Sequence, residues 1–201
     1  MMAKKSWHLP VIALTAVTAI ALAAGLWWRL HSVQSANPYE HLGGDFTLAS
    51  AEGPVSLSDY QGRAVMLFFG YTTCPDVCPM DLAKIGAVIS QLPEKEAQQV
   101  AGLFVSVDPE RDSPQRVAEY AAFFHPQITG VSGSAEAVDT VARLYYVMHQ
   151  RVDDAGSALG YTIDHSATTY LIGPGGKVRQ LLKHDTSVDE MTEAVRTVLA
   201  G

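Results

Sequence analysis

Cys74 and Cys78 are the only two cysteines of the chain, and they lie in Gly70-Tyr71-Thr72-Thr73-Cys74-Pro75-Asp76-Val77-Cys78-Pro79. Two soft sulfurs at this spacing suit exchange of a disulfide or capture of a soft metal. Thioredoxin-type redox motifs use Cys-x-x-Cys, one residue shorter. Structural zinc needs four ligands, usually from two such pairs, and no second pair exists. A purely structural bridge would close a very small loop and stabilise little. Metal binding is therefore the first reading, thiol redox chemistry the second and a plain bridge the third.

Two thiolates call for a further ligand. Of the seven histidines, His8 and His31 flank an apolar segment and His41 lies in a linker. His125 and His184 sit at element ends, and His149 reads as the end of a helix, facing its dipole. His165 stands apart in Asp164-His165-Ser166, just before an apolar run at 168–172. A lone histidine before a strand is usually structural. Beside two sulfurs at the same end of a sheet, His165 is the candidate third ligand. Asp76, Asp108 and Asp164 are candidates for the surrounding shell, with Asp164 placed to orient His165. Met80 reads as core.

These side chains need a frame. Ala64-Val65-Met66-Leu67-Phe68-Phe69 is a continuous apolar run, which predicts a buried strand. Met80 to Leu92 predicts a helix, with Pro75 suited to its first turn. On that reading both cysteines share one helix face, near the positive end that favours thiolate. Further expectations are a hairpin of 46–48 and 55–57 around Gly53-Pro54, a strand at 100–107 and a helix from Pro114 to Phe124 capped by Ser113. A strand at 128–131, a helix at 135–148, strands at 168–172 and 177–182, and a closing helix at 188–199 follow. This alternation predicts an α/β sandwich of the thioredoxin-like kind.

The N-terminal part has a different composition. Lys4 and Lys5 precede twenty uncharged residues, 9–28, that end in Trp27-Trp28. At about 1.5 Å per residue this length matches a bilayer core of roughly 30 Å. The expectation is residues 1–8 in the cytoplasm, a single-pass transmembrane anchor at 9–28, a linker at 29–44 and a folded domain at 45–201 outside the cytoplasm. The competing expectation is a cleaved signal peptide with Ala21-Leu22-Ala23 at the cleavage site. Either way the domain lies where disulfides persist. Net charge is −7, and residues 1–30 contain three basic and no acidic residues. The remainder is correspondingly more acidic, which argues against nucleic acid as a partner.

Three motifs together resemble the Sco/SenC family of membrane-anchored copper proteins. They are Phe68-Phe69-Gly70-Tyr71-Thr72-x-Cys74-Pro75-Asp76-x-Cys78-Pro79, Val105-Ser106-Val107-Asp108-Pro109-Glu110-Arg111-Asp112-Ser113-Pro114, and Asp164-His165-Ser166-x-x-x-Tyr170-Leu171-Ile172-Gly173-Pro174-x-Gly176. The resemblance implies a thioredoxin-like fold and copper, as Cu(I) or Cu(II), held by Cys74, Cys78 and His165. It also implies a role in assembling the copper A centre of cytochrome c oxidase. The copper A subunit would be the partner, with other periplasmic copper chaperones in view, at the inner membrane with the domain in the periplasm. No catalytic residue is assigned. Alternatives are a periplasmic thiol–disulfide oxidoreductase using Cys74 and Cys78 as a redox-active disulfide, and a redox or copper sensor. A peroxidase of the peroxiredoxin kind would want Thr where Tyr71 stands.

Overall fold

The structure is a computed structural model that describes residues 17–29, 37–154, 156 and 159–201. The chain divides into two units at Pro38/Tyr39. In the first, residues 17–29 form a helix, α1, with Val17, Ile20, Leu22, Leu26, Trp27 and Trp28 exposed. Residues 9–16 of the expected anchor lie outside the described residues. Among the described residues, no helix is long and apolar enough to cross a membrane.

The second unit is built on a five-stranded sheet. β1 (Thr47–Ser50) and β2 (Gly53–Ser56) form a small hairpin, followed by a 3-10 turn at Leu57–Tyr60. Then come β3 (Ala64–Gly70), α2 (Val77–Gln91), α3 (Glu94–Ala97), β4 (Val100–Ser106), α4 (Pro114–Phe124) and β5 (Ile128–Val131). α5 (Ala135–Leu144), β6 (His149–Asp153), β7 (Tyr161–His165), β8 (Thr168–Ile172), β9 (Val178–Lys183) and α6 (Val188–Ala200) complete the chain. The central sheet has the order β5-β4-β3-β8-β9. β3 runs parallel to β4 and antiparallel to β8.

β3 and β4 are buried along their whole length. Helices pack against them, so neither face of these strands needs a polar residue, and both read as unbroken apolar runs. Phe68 and Phe104 stack across the β3–β4 pair with centroids 6.3 Å apart. α2 returns the chain from β3 to β4, the crossover that parallel strands require. The predicted cap of α4 forms as expected: Ser113 Oγ accepts from Arg116 N at 3.3 Å, with Pro114 opening the helix.

Four expectations need correction. The first hairpin turns at Ala51-Glu52, and Gly53-Pro54 belongs to β2. Ser50 Oγ closes the turn, donating to Gly53 O at 2.8 Å and accepting from Glu52 N at 3.2 Å. The helix expected at 135–148 stops at Leu144, because Tyr146 takes a left-handed φ of 53°. His149 therefore opens a strand and does not close a helix. β6 and β7, absent from the sequence reading, form a separate antiparallel ribbon outside the central sheet.

Candidate metal centre

The site begins where β3 ends. After Gly70 the chain turns through Tyr71–Asp76, with Cys74 N bonded to Tyr71 O at 3.3 Å, and α2 begins at Val77. Cys74 therefore sits in the turn, before the helix, and Cys78 in the helix's first turn. The sulfurs converge because the turn curls back over α2, not because both residues occupy one helix face. Pro75 likewise precedes the helix. Cys78 is fully buried and Cys74 half-buried; both are free thiols.

Gly70 makes this packing possible. A Cβ there would lie 2.6 Å from Cys78 Sγ. Only a residue without a side chain lets the strand end pass this close to the sulfur.

His165 arrives from the other side as the last residue of β7. Its Nε2 lies 3.3 Å from Cys78 Sγ, and its Nδ1 lies 3.2 Å from Ser166 O. A carbonyl oxygen only accepts, so Nδ1 carries a proton in this contact and Nε2 is the ring nitrogen turned toward the sulfurs. The rings of Phe68 and Tyr71 meet the imidazole edge-on, at 6.1 and 5.7 Å between centroids. The donor atoms of Cys74, Cys78 and His165 all lie within 4.8 Å of one another.

Electrostatics divide the two thiols. Hydrogen bonds from Cys78 and then from His165, helped less by the backbone N–H groups of Asp76 and Cys78, hold Cys74 down to about 3 against the effect of its burial. Cys78 is pushed up, first by that bond to Cys74 and then by its own burial. The pair thus holds a ready thiolate at Cys74 and a proton at Cys78 that an incoming soft cation would displace.

The three aspartates separate. Asp76 and Asp164 are exposed, and neither joins the cluster of donor atoms. The group that orients His165 through Nδ1 is the Ser166 carbonyl, not the Asp164 carboxylate. Asp108 is buried and grips Arg111 and Tyr161. Met80 is 42% exposed and so is not core. A cleft of about 570 Å³ opens beside His165, lined among others by Asp139, Met148, His149 and Asp164. His149 pairs across the ribbon with His165, while its Nε2 lies 3.2 Å from Asp139 Oδ1.

Sequence reasoning missed the network that fixes the cysteine turn. Asp112, 1% exposed, accepts from Thr72 N at 2.8 Å, Thr72 Oγ1 at 2.5 Å and Ser106 Oγ at 2.6 Å. Arg116 Nε donates to Thr72 Oγ1 at 2.7 Å. The signal was present, since Asp112 lies in the second of the three motifs. Asp81, one turn after Cys78, is also buried. His184 Nδ1 lies 2.9 and 3.0 Å from its two oxygens, so His184 is not a plain surface residue.

Fold and site together define a thioredoxin-like α/β domain with a Cys–Cys–His donor set at its cysteine turn. The SCO1/SenC family profile matches residues 34–200. The chain is 37% identical over 155 residues to the mitochondrial SCO1 homolog 1 of Arabidopsis thaliana, covering 77% of this chain and 46% of that protein. It is 38% identical over 160 residues to the mitochondrial SCO2 homolog of Bos taurus, covering 79% of this chain and 60% of that protein. It thus matches less than two thirds of the length of either. A crystal structure of Arabidopsis thaliana ScoI with copper bound superposes with a TM-score of 0.73 at 36% identity, covering 79% of this chain and 98% of that one. The chain belongs to the SCO1/SenC family.

Proposed function

We propose that this protein is a membrane-anchored copper chaperone that serves the copper A centre of cytochrome c oxidase. The observation that carries the reading is the convergence of Cys74, Cys78 and His165 donor atoms within 4.8 Å. Two thiolates and an imidazole suit Cu(I), which is soft and accepts low coordination. Cu(II) would take a further oxygen or water. Copper here is cargo. Cys74 is only half-buried, and the cleft beside His165 gives an incoming ligand a way to the metal. Both features favour a site that releases what it binds. The copper-bound Arabidopsis relative supports the choice of metal. The recipient, the copper A subunit, comes from the family resemblance.

Residues 9–28 would anchor the protein in the inner membrane, with 1–8 cytoplasmic, 29–44 as tether and 45–201 as the periplasmic domain. The exposed apolar side chains of α1, ending in Trp27 and Trp28, support this. A tether keeps the domain near a membrane-bound recipient and raises its effective concentration there.

A second reading has its own support: both cysteines are free, with their sulfurs adjacent, so the same pair could reduce a disulfide of the recipient to two thiols while itself becoming a Cys74–Cys78 disulfide. The test is oxidase activity and copper content in a strain lacking this protein at limiting copper. Wild type should restore both, and Cys74→Ser/Cys78→Ser should restore neither. Failure of His165→Ala to restore them supports copper delivery, and full rescue by it supports reduction of the recipient's disulfide. Normal oxidase in the deletion strain would overturn both.

A further inference from the structure

We propose that a stacked column of side chains, Arg151–Tyr161–Arg111–Tyr71, is the positioning device that holds His165 against the two sulfurs. Its copper readout rests on the function proposed above. Among the described residues, the ribbon of β6 and β7 that delivers His165 makes no strand pairing with the central sheet. A lone two-stranded hairpin is marginally stable in water. The ribbon's His165 end is tied by the chain itself, since β8 begins at Thr168, and side chains of β7 hold the rest against the body of the domain.

Tyr161 is the anchor. The guanidinium carbons of Arg111 and Arg151 each lie 3.7 Å from its ring centroid. Two such groups cannot share one face at that distance, so the ring is sandwiched, and both faces carry the negative potential that attracts cations. The Tyr161 hydroxyl donates to Asp108 Oδ1 at 2.8 Å. Arg111 grips the same strand through its backbone, with Nη1 donating to Tyr161 O at 3.0 Å and to Leu159 O at 3.4 Å. Charge is balanced along the column, with Asp108 against Arg111 and Glu110 against Arg151.

The column continues to the ligand. Arg111 lies 5.8 Å from the Tyr71 ring, whose centroid is 5.7 Å from that of His165. Tyr71 OH also accepts from Ile163 N at 3.4 Å, two residues before His165. Tyr71 therefore touches the column, the strand and the ligand, while lying three residues before Cys74. The bland alternative is a set of surface ion pairs, which contribute little. That alternative does not fit Asp108, which is 2% exposed, or Tyr161, which is 8% exposed. One loop serves both halves of the site: Asp108 holds the histidine ribbon, and Asp112 holds the cysteine turn through Thr72. The separation of His165 from the sulfurs is thus fixed from a single base.

The test uses the full chain with Tyr161→Ala, Tyr161→Phe and Arg151→Gln, each made alone and with His165→Ala. Two quantities are read: hydrogen exchange at the Ile163 amide without metal, and release of Cu(I) to a competing chelator. Tyr161→Ala should speed exchange at Ile163 and speed copper release about ten-fold, the lower end for losing a group that orients a metal ligand. Tyr161→Phe keeps the stacked ring and should lie nearer wild type. With His165→Ala already present, Tyr161→Ala should change release by less than about two-fold, because the ligand it positions is gone. Equal acceleration in both backgrounds, or no acceleration in either, would overturn the proposal. If the wild type holds no copper, the proposed function fails, and Ile163 exchange decides the column alone: unchanged exchange in Tyr161→Ala overturns it and faster exchange upholds it. If Tyr161→Ala does not fold, Arg151→Gln at the exposed end supplies the same comparisons with a smaller effect.

Discussion

Replacing Asp112 with alanine should destabilise the domain by about 3 kcal/mol and loosen the cysteine turn with it. The carboxylate is 1% exposed and accepts three bonds, from Thr72 N, Thr72 Oγ1 and Ser106 Oγ. Bonds to a charged acceptor contribute at least about 1.5 kcal/mol each, and water entering the vacated space recovers part of that. Ser106 is itself fully buried, so its hydroxyl loses its carboxylate partner without ready access to solvent. For a folded unit spanning Tyr39–Gly201, 3 kcal/mol corresponds to a fall in Tm of roughly 6–12 °C. Asp112→Asn, which keeps one oxygen, should lose roughly half as much. Thr72 lies two residues before Cys74, so both variants should also release copper faster than wild type. Thermal unfolding and chelator competition on the same samples provide the check. A Tm within about 3 °C of wild type for Asp112→Ala would show that the network does not hold the turn.

Gly70→Ala should weaken copper retention because its Cβ would sit 2.6 Å from Cys78 Sγ and push the sulfur out of line; retention equal to wild type would mean that the turn absorbs the clash. Cys74, held down to about 3, should be alkylated by iodoacetamide in metal-free protein at about pH 5 nearly as fast as at about pH 7. A rate falling ten-fold per pH unit over that interval would mark it as an ordinary thiol. Asp81 has its carboxyl pushed up by burial, so its contribution to stability is fully present below the ordinary carboxylate range and is lost as pH rises through its higher folded value. Asp81→Asn cannot lose that proton, so its Tm relative to wild type should rise between about pH 4 and pH 7. A difference that stays flat or falls would contradict that sign.

The chemistry of the site was easier to read from sequence than its geometry. Cysteines four apart after an apolar run, with a histidine before another, pointed to the three donors that the fold brings together. Their frame was misread where local pattern and tertiary contact diverge. Cys74 looked helical because Pro75 suits a first turn, but Thr72 is tied to Asp112 and the helix starts only at Val77. The ribbon carrying His165 was invisible because β6, His-Gln-Arg-Val-Asp, has one apolar residue and no alternation to detect. It is held by Arg111, which reaches Tyr161 from a distant part of the chain. The helix expected through Met148 has good periodicity, yet Tyr146 at φ 53° ends it and turns the chain toward β6. Met80 reads as core by residue type alone, whereas its place in the first turn of α2 leaves it exposed.

Copper delivery requires Cys74, Cys78 and His165 to hold one copper ion together. Anaerobic titration of the reduced full chain with Cu(I), followed by X-ray absorption at the copper edge, tests it most directly. Saturation should come at one copper per chain, with two sulfur scatterers and one imidazole nitrogen. The nitrogen should be lost in His165→Ala, and binding should be lost in Cys74→Ser/Cys78→Ser. Saturable binding that survives loss of both cysteines, or an unchanged spectrum in His165→Ala, would contradict it.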